Sequence, residues 1–189
     1  MKRFALILSL LVGALAFTAA GIAGPGQGGA KSQSSKNNKF KFTVTTTDGS
    51  SCGAAQVWAT DGRFALIEFV FPRGASPPLH THPQDESYVV LDGALTVHAG
   101  EERFELTPGA AAVVPMGVAH TFRVESDTAR VLVLSTPAGI ERMVRDGSVP
   151  ATAPTLPPGD AARPSPEQLE SLFSAHGQVN LGPPLGLED

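Results

Sequence analysis

The sequence predicts an all-β fold, a small antiparallel β-barrel followed by one or two short C-terminal helices. Between residues 63 and 136, short runs of branched and aromatic side chains alternate with turn signals such as Asp92-Gly93 and Thr107-Pro108-Gly109. Strands that recur about every 8–12 residues are typical of β-sandwiches and β-barrels. The chain also contains 20 glycines and 16 prolines, a content that favours many turns.

Length and composition narrow the possible functions. A chain of 189 residues suits one domain with appendages. The formal net charge of −4 argues against nucleic acid as a partner, because binding to phosphates needs a surplus of Lys and Arg. The single cysteine, Cys52, excludes an intrachain disulfide and a cysteine-rich zinc module. The expected partner is a small-molecule ligand or substrate.

The N-terminus has the pattern of a secretory signal peptide, which we assign to residues 1–23. Lys2 and Arg3 give a positive start, residues 4–17 are mostly apolar, and small residues follow. The alternative is an uncleaved membrane anchor, but the apolar run is shorter than the ~20 residues that a helical span needs. We expect a secreted or periplasmic mature protein without membrane contact after cleavage.

Composition also divides the rest of the chain. Residues 24–39 contain no branched aliphatic or aromatic side chain, and this predicts a flexible leader. Residues 40–147 are assigned to the barrel domain, with its core at 63–136. The role of residues 40–62 and of Cys52 is open.

Proline and helix signals organise the C-terminal region. Prolines are frequent in residues 148–164 and predict an extended linker, which a short helix and tail follow at 165–189. Residues 165–168 match a helix start, with Ser as the N-cap, Pro at the first position and Gln at the third. Another short helix is predicted at 139–145. The later helix carries an apolar stripe that can cover one end of the barrel, formed by Leu169, Leu172 and Phe173.

Two histidines one residue apart, His80 and His82, are the first candidates for metal ligands. Alternate residues of an extended strand point the same way, so both imidazoles lie on one side. This spacing therefore predicts a pair of imidazoles that face a common point.

A predicted hairpin places Glu86 on the same interior. Asp92-Gly93 is a strong signal for a two-residue turn, which pairs Tyr88 with Val97 and leaves His98 on the outer face. The face that carries Tyr88 and Val97 is apolar and is therefore the interior. Glu86 has the parity of Tyr88, so it also points inward.

His120 shares the inner face of a later strand with Phe122 and Val124. Three imidazoles and one carboxylate then face one interior. A buried carboxylate is costly unless it is paired or bound to a cation, so we predict one divalent metal ion per subunit. Three nitrogens and one oxygen suit Fe, Mn, Ni, Co, Cu or Zn. The residues predicted to line the pocket are Tyr88, Val90, Leu95, Val97, Phe122 and Val124.

Each of these residues also has an ordinary interpretation. An isolated His-x-His pair is usually a surface or structural feature, and an inward histidine is usually satisfied within the core. A glutamate at the start of a strand is usually solvated, and inward apolar side chains are usually only core. The metal hypothesis depends on the agreement of spacing and parity among all four candidate ligands.

The same residues resemble the two motifs of the cupin family, G-x5-H-x-H-x3–4-E-x6-G and G-x5-P-x-G-x2-H-x3-N. The matching residues are Gly74, His80, His82, Glu86 and Gly93 in the first motif, and Gly109, Pro115, Gly117 and His120 in the second. Val124 stands where the second motif ends in Asn. The resemblance covers residues 63–136 and implies a jelly-roll-like barrel with a metal bound by the three histidines and Glu86.

A weaker resemblance links residues 136–139, the helix near Gln168 and the ending at 181–185 to single-domain quercetinase-like cupins. It implies a metal-dependent dioxygenase that acts on a flavonol-like aromatic or enolic small molecule, with Glu86 as ligand and catalytic base. A non-catalytic small-molecule-binding or sensor cupin and a metal-dependent isomerase or decarboxylase are the alternatives. The identity of the metal, the substrate and the oligomeric state, including a homodimer, stay open.

Overall fold

The computed structural model describes residues 40–45, 52–59, 62–151, 153, 155–158, 161 and 164–186. The predicted signal peptide (1–23) and flexible leader (24–39) lie outside these residues. The strands and helices that it describes are, in chain order, β1 (Phe40–Thr45), β2 (Cys52–Ala59), β3 (Ala65–Pro72), β4 (Leu79–Thr81), β5 (Asp85–Asp92), β6 (Leu95–Ala99), β7 (Glu102–Leu106), β8 (Ala111–Val114), β9 (His120–Val124), β10 (Thr128–Thr136), α1 (Ile140–Asp146), β11 (Ser148–Pro150), α2 (Pro166–Ala175) and β12 (Val179–Gly182).

The strands form two antiparallel sheets. One sheet has the strand order β11-β1-β2-β3-β10-β5-β8, and the other has the order β12-β4-β9-β6-β7. The predicted fold class, all-β and antiparallel with short C-terminal helices, is confirmed. Because many neighbouring strands are far apart in sequence, the sheets depend on long-range pairing, as in β10 with both β3 and β5.

Alternation of side chains builds the core between the sheets. In β3, Ala65, Ile67, Phe69 and Phe71 are buried, whereas the residues between them are partly exposed. This period of two follows from the pleat, which turns successive side chains to opposite faces of the sheet. The inner faces of β5, β6, β9 and β10 contribute further to one continuous apolar core.

The predicted hairpin across Asp92-Gly93 is wrong. β5 pairs with β10 and β8, whereas β6 pairs with β9 and β7, so this turn connects the two sheets. Gly93 has a φ of 81°, and a Cβ there would overlap the carbonyl oxygen of Thr128. The turn signal marks the reversal correctly but does not identify the pairing partners. Tyr88 and Val97 are nonetheless buried, because each strand sets its own inner face.

The helix that follows the proline-rich stretch begins as its sequence predicts. The Ser165 hydroxyl accepts a hydrogen bond from the backbone N–H of Gln168, and the Gln168 side chain accepts one from the backbone N–H of Ser165. This reciprocal pair satisfies two of the free donors at the N-terminus of α2. On the inner side of the helix, Leu169 is only 2% exposed.

Both ends of the domain join the sheets. β1 and β2 lie in residues 40–62, the segment to which the sequence assigned no role. They pair with each other and extend the seven-stranded sheet through β3. β11, at the start of the predicted linker, pairs with β1, and β12 in the tail pairs with β4. No helix in the described part of the chain is long and apolar enough to cross a membrane.

Candidate metal centre and its cavity

Three strands of the barrel bring the four predicted metal ligands together. His80 on β4 lies opposite His120 on β9 in the sheet register, and Glu86 projects from β5 in the other sheet. His82 follows β4 by one residue. The imidazole ring centroids of His80 and His120 are 4.3 Å apart, and those of His82 and His120 are 4.8 Å apart.

The four side chains form a buried cluster, which we call the metal-ligand cluster (His80, His82, Glu86 and His120). One ligand atom from each residue lies within 4.8 Å of the others. All four residues are buried, and His120 is only 1% exposed. Such a set of imidazole and carboxylate donors can hold one divalent ion.

Backbone carbonyls fix the orientation of two imidazoles. His80 donates from Nδ1 to the carbonyl of Pro78 at 2.7 Å, and His120 donates from Nδ1 to the carbonyl of Val118 at 2.8 Å. A carbonyl can only accept, so the proton sits on Nδ1 and the Nε2 lone pair of the neutral ring is available. This support is the usual one for metal-ligating histidines.

Glu86 is the point where the cluster converges. Its Oε2 atom lies 2.9 Å from Nε2 of His120 and 3.2 Å from Nε2 of His82, and it accepts a hydrogen bond from the Tyr88 hydroxyl at 2.7 Å. Because Nδ1 of His120 already donates to a carbonyl, the neutral ring would direct a lone pair at this carboxylate. The contact therefore needs a positive charge, either a proton on His120 or a metal ion.

His82 is held differently from the other two histidines of the cluster. Nδ1 of His82 is buried and has no hydrogen-bond partner within the described residues. A buried polar atom without a partner is unusual in native proteins and calls for an explanation. Within the described residues, the ring of His82 therefore lacks the carbonyl support that orients His80 and His120.

The protonation tendencies follow from this geometry. Burial, together with the neighbouring His120, lowers the pKa of His80 to about 4. Burial lowers the pKa of His120 as well, but the hydrogen bond to Glu86 and the charge of Glu86 outweigh it, so the pKa of His120 is raised above 6.5. His80 is thus neutral near pH 7, as ligation requires, whereas His120 must lose its proton to bind a metal.

The two remaining groups shift in opposite directions. Burial tends to raise the pKa of Glu86, but hydrogen bonds to His120 and His82 outweigh it and hold this pKa well below its usual range. Burial and the adjacent Glu86 charge raise the pKa of Tyr88 well above 10. Near neutral pH, Glu86 is therefore an ionised acceptor and Tyr88 a protonated donor.

The cluster borders a cavity of about 120 Å³ inside the barrel. His80, Glu86 and Tyr88 are part of its lining. The apolar side chains that the barrel and its loops contribute are Phe69, Phe71, Ala75, Pro77, Pro78, Phe122 and Val133.

The predicted pocket lining needs a correction. Of the six predicted residues, Tyr88 and Phe122 line the cavity, whereas the other four are fully buried in the core and do not line it. Those four residues are Val90, Leu95, Val97 and Val124. Strand parity identifies side chains that point inward, but it does not show which part of the interior is filled.

A further wall of the cavity could be predicted from the sequence only in part. We call it the C-terminal wall, and it consists of side chains from α1, β11, α2 and the residue before β12. The stripe of α2 was the available signal, since Leu169, Leu172 and Phe173 all line the cavity. The further members are Ile140, Met143, Val144, Ser148 and Gln178.

His98 lies apart from the metal-ligand cluster. It is on β6, next to Val97 and on the opposite face, and it is partly exposed. In the described residues its buried Nε2 has no hydrogen-bond partner. His98 therefore serves as a natural control for the histidines of the cluster.

Comparison with known proteins identifies the fold. Residues 67–137 match the family described as the cupin domain. The chain is 35% identical over 90 residues to an uncharacterized protein of Streptomyces coelicolor, covering 42% of this chain and 84% of that protein.

Two solved structures are also similar to this chain. One is KdgF from Halomonas sp., with 25% identity, a TM-score of 0.45, and coverage of 48% of this chain and 83% of that chain. The other is an RmlC-like cupin from Shewanella frigidimarina, with 20% identity, a TM-score of 0.46, and coverage of 53% and 88%. With the two motifs, the two-sheet fold and the family match in agreement, the chain belongs to the cupin superfamily.

Proposed function

We propose that this protein is a metal-dependent dioxygenase that acts on a compact enolic or aromatic small molecule. The observation that supports it most is that the metal-ligand cluster borders a mostly apolar cavity through His80 and Glu86. Structural metal sites are closed, whereas catalytic sites keep a position open for substrate. A metal ion among these donors would lie beside space that a ligand can occupy.

The four cluster residues would hold the ion. When bound, a divalent ion supplies a Lewis acid that holds and polarises substrate oxygen and brings it together with dioxygen. His80 and His120 present Nε2 because their Nδ1 atoms donate to backbone carbonyls. Three imidazole nitrogens and one carboxylate suit Fe, Mn, Ni, Co, Cu or Zn.

Glu86 is proposed as the catalytic base. Its carboxylate lines the cavity and is ionised at neutral pH, so it can accept the proton of an enol that a bound metal would make more acidic. The Tyr88 hydroxyl donates to the same carboxylate at 2.7 Å and fixes its orientation in the cavity. The apolar walls around Phe71 and Phe122 exclude water and limit side reactions.

The size of the cavity favours small substrates within the flavonol-like class. A cavity of about 150 Å³ can hold a benzene molecule. The cavity beside the cluster, about 120 Å³, is of that order, so a single ring or an open-chain enol suits it better than a three-ring flavonol.

Two alternatives use the same residues. A metal-dependent isomerase or decarboxylase would need the base Glu86 and the metal but no dioxygen. A non-catalytic binding or sensor protein would need only the cavity and the ion, because function depends on the site rather than the fold.

An oxygen-uptake experiment separates these functions. The full chain is loaded in turn with each candidate metal and offered maltol, kojic acid, acetylacetone and quercetin in an oxygen electrode, with product analysis under labelled dioxygen. We expect oxygen uptake with at least one compact enol and both labelled atoms in its product. Conversion without oxygen uptake would favour the isomerase or decarboxylase, and binding without conversion would favour the sensor.

Export of the protein is proposed from the sequence pattern of residues 1–23. The mature chain is expected to begin between Ala19 and Gly26. N-terminal sequencing of protein recovered outside the cytoplasm tests this, and a chain that still starts at Met1 would contradict it.

A further inference from the structure

Ser148 is an unusual residue of the C-terminal wall. It is the first residue of β11, it lines the cavity, and its Oγ atom is buried without a hydrogen-bond partner among the described residues. A buried hydroxyl that is left unpaired destabilises a protein, and most buried polar atoms have a partner. This hydroxyl therefore has unused hydrogen-bonding capacity, and it belongs to a residue that lines the cavity.

Other polar side chains of the cavity are engaged within the protein. The Ser76 hydroxyl accepts a hydrogen bond from the backbone of Leu185 at 3.0 Å, and Gln178 donates to the Asn180 side chain at 2.9 Å. Tyr88 donates to Glu86 in the cluster. The hydroxyl of Ser148 is thus distinguished from its polar neighbours by its lack of a partner within the described residues.

The strand order separates Ser148 from the cluster. Ser148 lies on β11 at one edge of the seven-stranded sheet, whereas Glu86 lies on β5, with β1, β2, β3 and β10 between them. The cavity-lining residues of the intervening strands are apolar, namely Phe69, Phe71 and Val133. A ligand that reaches from one polar group to the other therefore crosses an apolar region.

We infer that Ser148 is a specificity-determining residue, whose hydroxyl binds an oxygen group on the part of the ligand remote from the metal-ligand cluster. This inference rests on the proposed function and narrows its substrate class. The substrate is then a compact enolic compound with two oxygen functions. One is a chelating enol and carbonyl pair for the metal, and the other is a hydroxyl or carbonyl group on the far side of the molecule.

Two pyrones form a matched pair of probes. Allomaltol and kojic acid share a chelating hydroxyl and carbonyl pair, and kojic acid has one additional hydroxyl on the side chain across the ring. Both are titrated by isothermal calorimetry into the full chain loaded with Zn(II), which has no redox chemistry of its own. Metal content is measured before and after each titration to exclude extraction of the ion by the pyrone.

We expect wild type to prefer kojic acid and Ser148→Ala to lose that preference. The affinity for kojic acid should fall about three- to ten-fold, the value of one neutral hydrogen bond, while the affinity for allomaltol stays unchanged. The melting temperature should not fall, because the substitution breaks no hydrogen bond within the described residues. Ser148→Cys keeps the size but bonds weakly, so it should shift affinity in the same direction.

Ser135→Ala is the matched control. Its Oγ is also buried and unpartnered within the described residues, but Ser135 does not line the cavity. Because Ser135 is paired with Glu86 in the sheet, its substitution can change both affinities, yet the ratio between the two pyrones should stay at the wild-type value.

The outcomes separate the two levels of the proposal. If both pyrones bind to wild type and Ser148→Ala leaves their affinity ratio unchanged, the role of Ser148 is refuted and the proposed function is unaffected. If neither pyrone binds to the metal-loaded wild type, the cavity does not take compact enolic chelators. In that case the proposed function fails, and the inference fails with it.

Discussion

The metal-ligand cluster and the C-terminal wall border the same cavity, yet they are built by different means. The cluster is held by strands of both sheets and by short hydrogen bonds, such as that from His120 to the carbonyl of Val118 at 2.8 Å. The wall depends on apolar packing of two short helices, in which Leu169 is buried. A rigid strand scaffold suits chemistry that needs fixed distances between ligand atoms. The residues of a packed helical cover can differ without moving those atoms, so the cover suits the selection of a ligand.

Close packing also shows how the wall is assembled. A Cβ on Gly147, just after α1, would overlap Cδ2 of Leu172 on α2. At the end of the same helices, Nε2 of His176 lies 3.1 Å from a carboxylate oxygen of Asp146. The wall is therefore a connected unit, and its substitution should change stability and ligand choice more than metal binding.

The largest expected effect belongs to the cluster. Glu86→Gln keeps the size and one coordinating oxygen but removes the charge and the base. We expect it to retain substantial metal and to lose roughly two to four decades of turnover on a compact enol. Turnover and metal content are measured together, with Glu105→Gln, an exposed site on β7, as the control. Full activity with full metal would remove Glu86 from the mechanism.

The next effect belongs to the wall. Leu169→Ala should lower the free energy of unfolding by about 2–4 kcal/mol, because it creates a cavity at a buried leucine. Urea unfolding measures the loss, and metal content should stay near the wild-type value. Leu181→Ala, at a leucine that is 54% exposed, is the matched control and should change stability little. Loss of metal in Leu169→Ala would show that cluster and wall are not separable.

The same contrast explains what could be predicted from the sequence. Alternation within β5 and β9 is a local property, so the inward direction of Glu86 and His120 follows from residue parity alone. The pairing of β5 is not local: its neighbours β8 and β10 lie further along the chain, and the Asp92-Gly93 turn wrongly predicted β6 instead. The open part of the interior depends on how α1 and α2 pack, which strand parity does not contain.

The C-terminal elements show the same limit. The start of α2 is encoded in four consecutive residues and is confirmed by the reciprocal hydrogen bonds of Ser165 and Gln168. The contact of Leu169 with the cavity joins distant parts of the chain. Ser148 carried no sequence signal, because an unpaired hydroxyl is recognisable only when its surroundings are known.

A pH experiment sharpens the account of the cluster. In the metal-free protein the raised pKa of His120 stabilises the fold below pH 6.5, and this stabilisation is lost as pH rises through the raised value. The lowered pKa of Glu86 stabilises the fold above pH 4.5, and this contribution is lost as pH falls. The pair therefore stabilises the metal-free fold most between these two values.

Metal affinity should rise with pH above 6.5, whereas the stability of the metal-free fold falls there. The reason is that His120 must lose its proton before it binds a metal. The difference in melting temperature between metal-loaded and metal-free protein should therefore widen from about pH 5.5 to about pH 8. His80, with a pKa of about 4, is already neutral throughout this range. A difference that stays constant or narrows would contradict the assigned proton on His120.

The smallest expected effect is at the start of α2. Ser165→Ala removes the capping hydroxyl and should cost about 1 kcal/mol of unfolding free energy. Chemical denaturation measures the change, and Ser171→Ala on the exposed side of the same helix is the control. Metal content should not change. A loss of unfolding free energy larger than that of Leu169→Ala would mean that the start of the helix, rather than its apolar contact, holds the wall in place.

Metal content of the full chain tests the central claim most directly, that His80, His82, Glu86 and His120 form one metal site. Elemental analysis should find about one divalent ion per wild-type chain, and the same in His98→Ala. His120→Ala should bind metal more than about 100-fold more weakly, since it loses a ligand and not only its support. Equal metal content in His120→Ala and wild type would contradict the account.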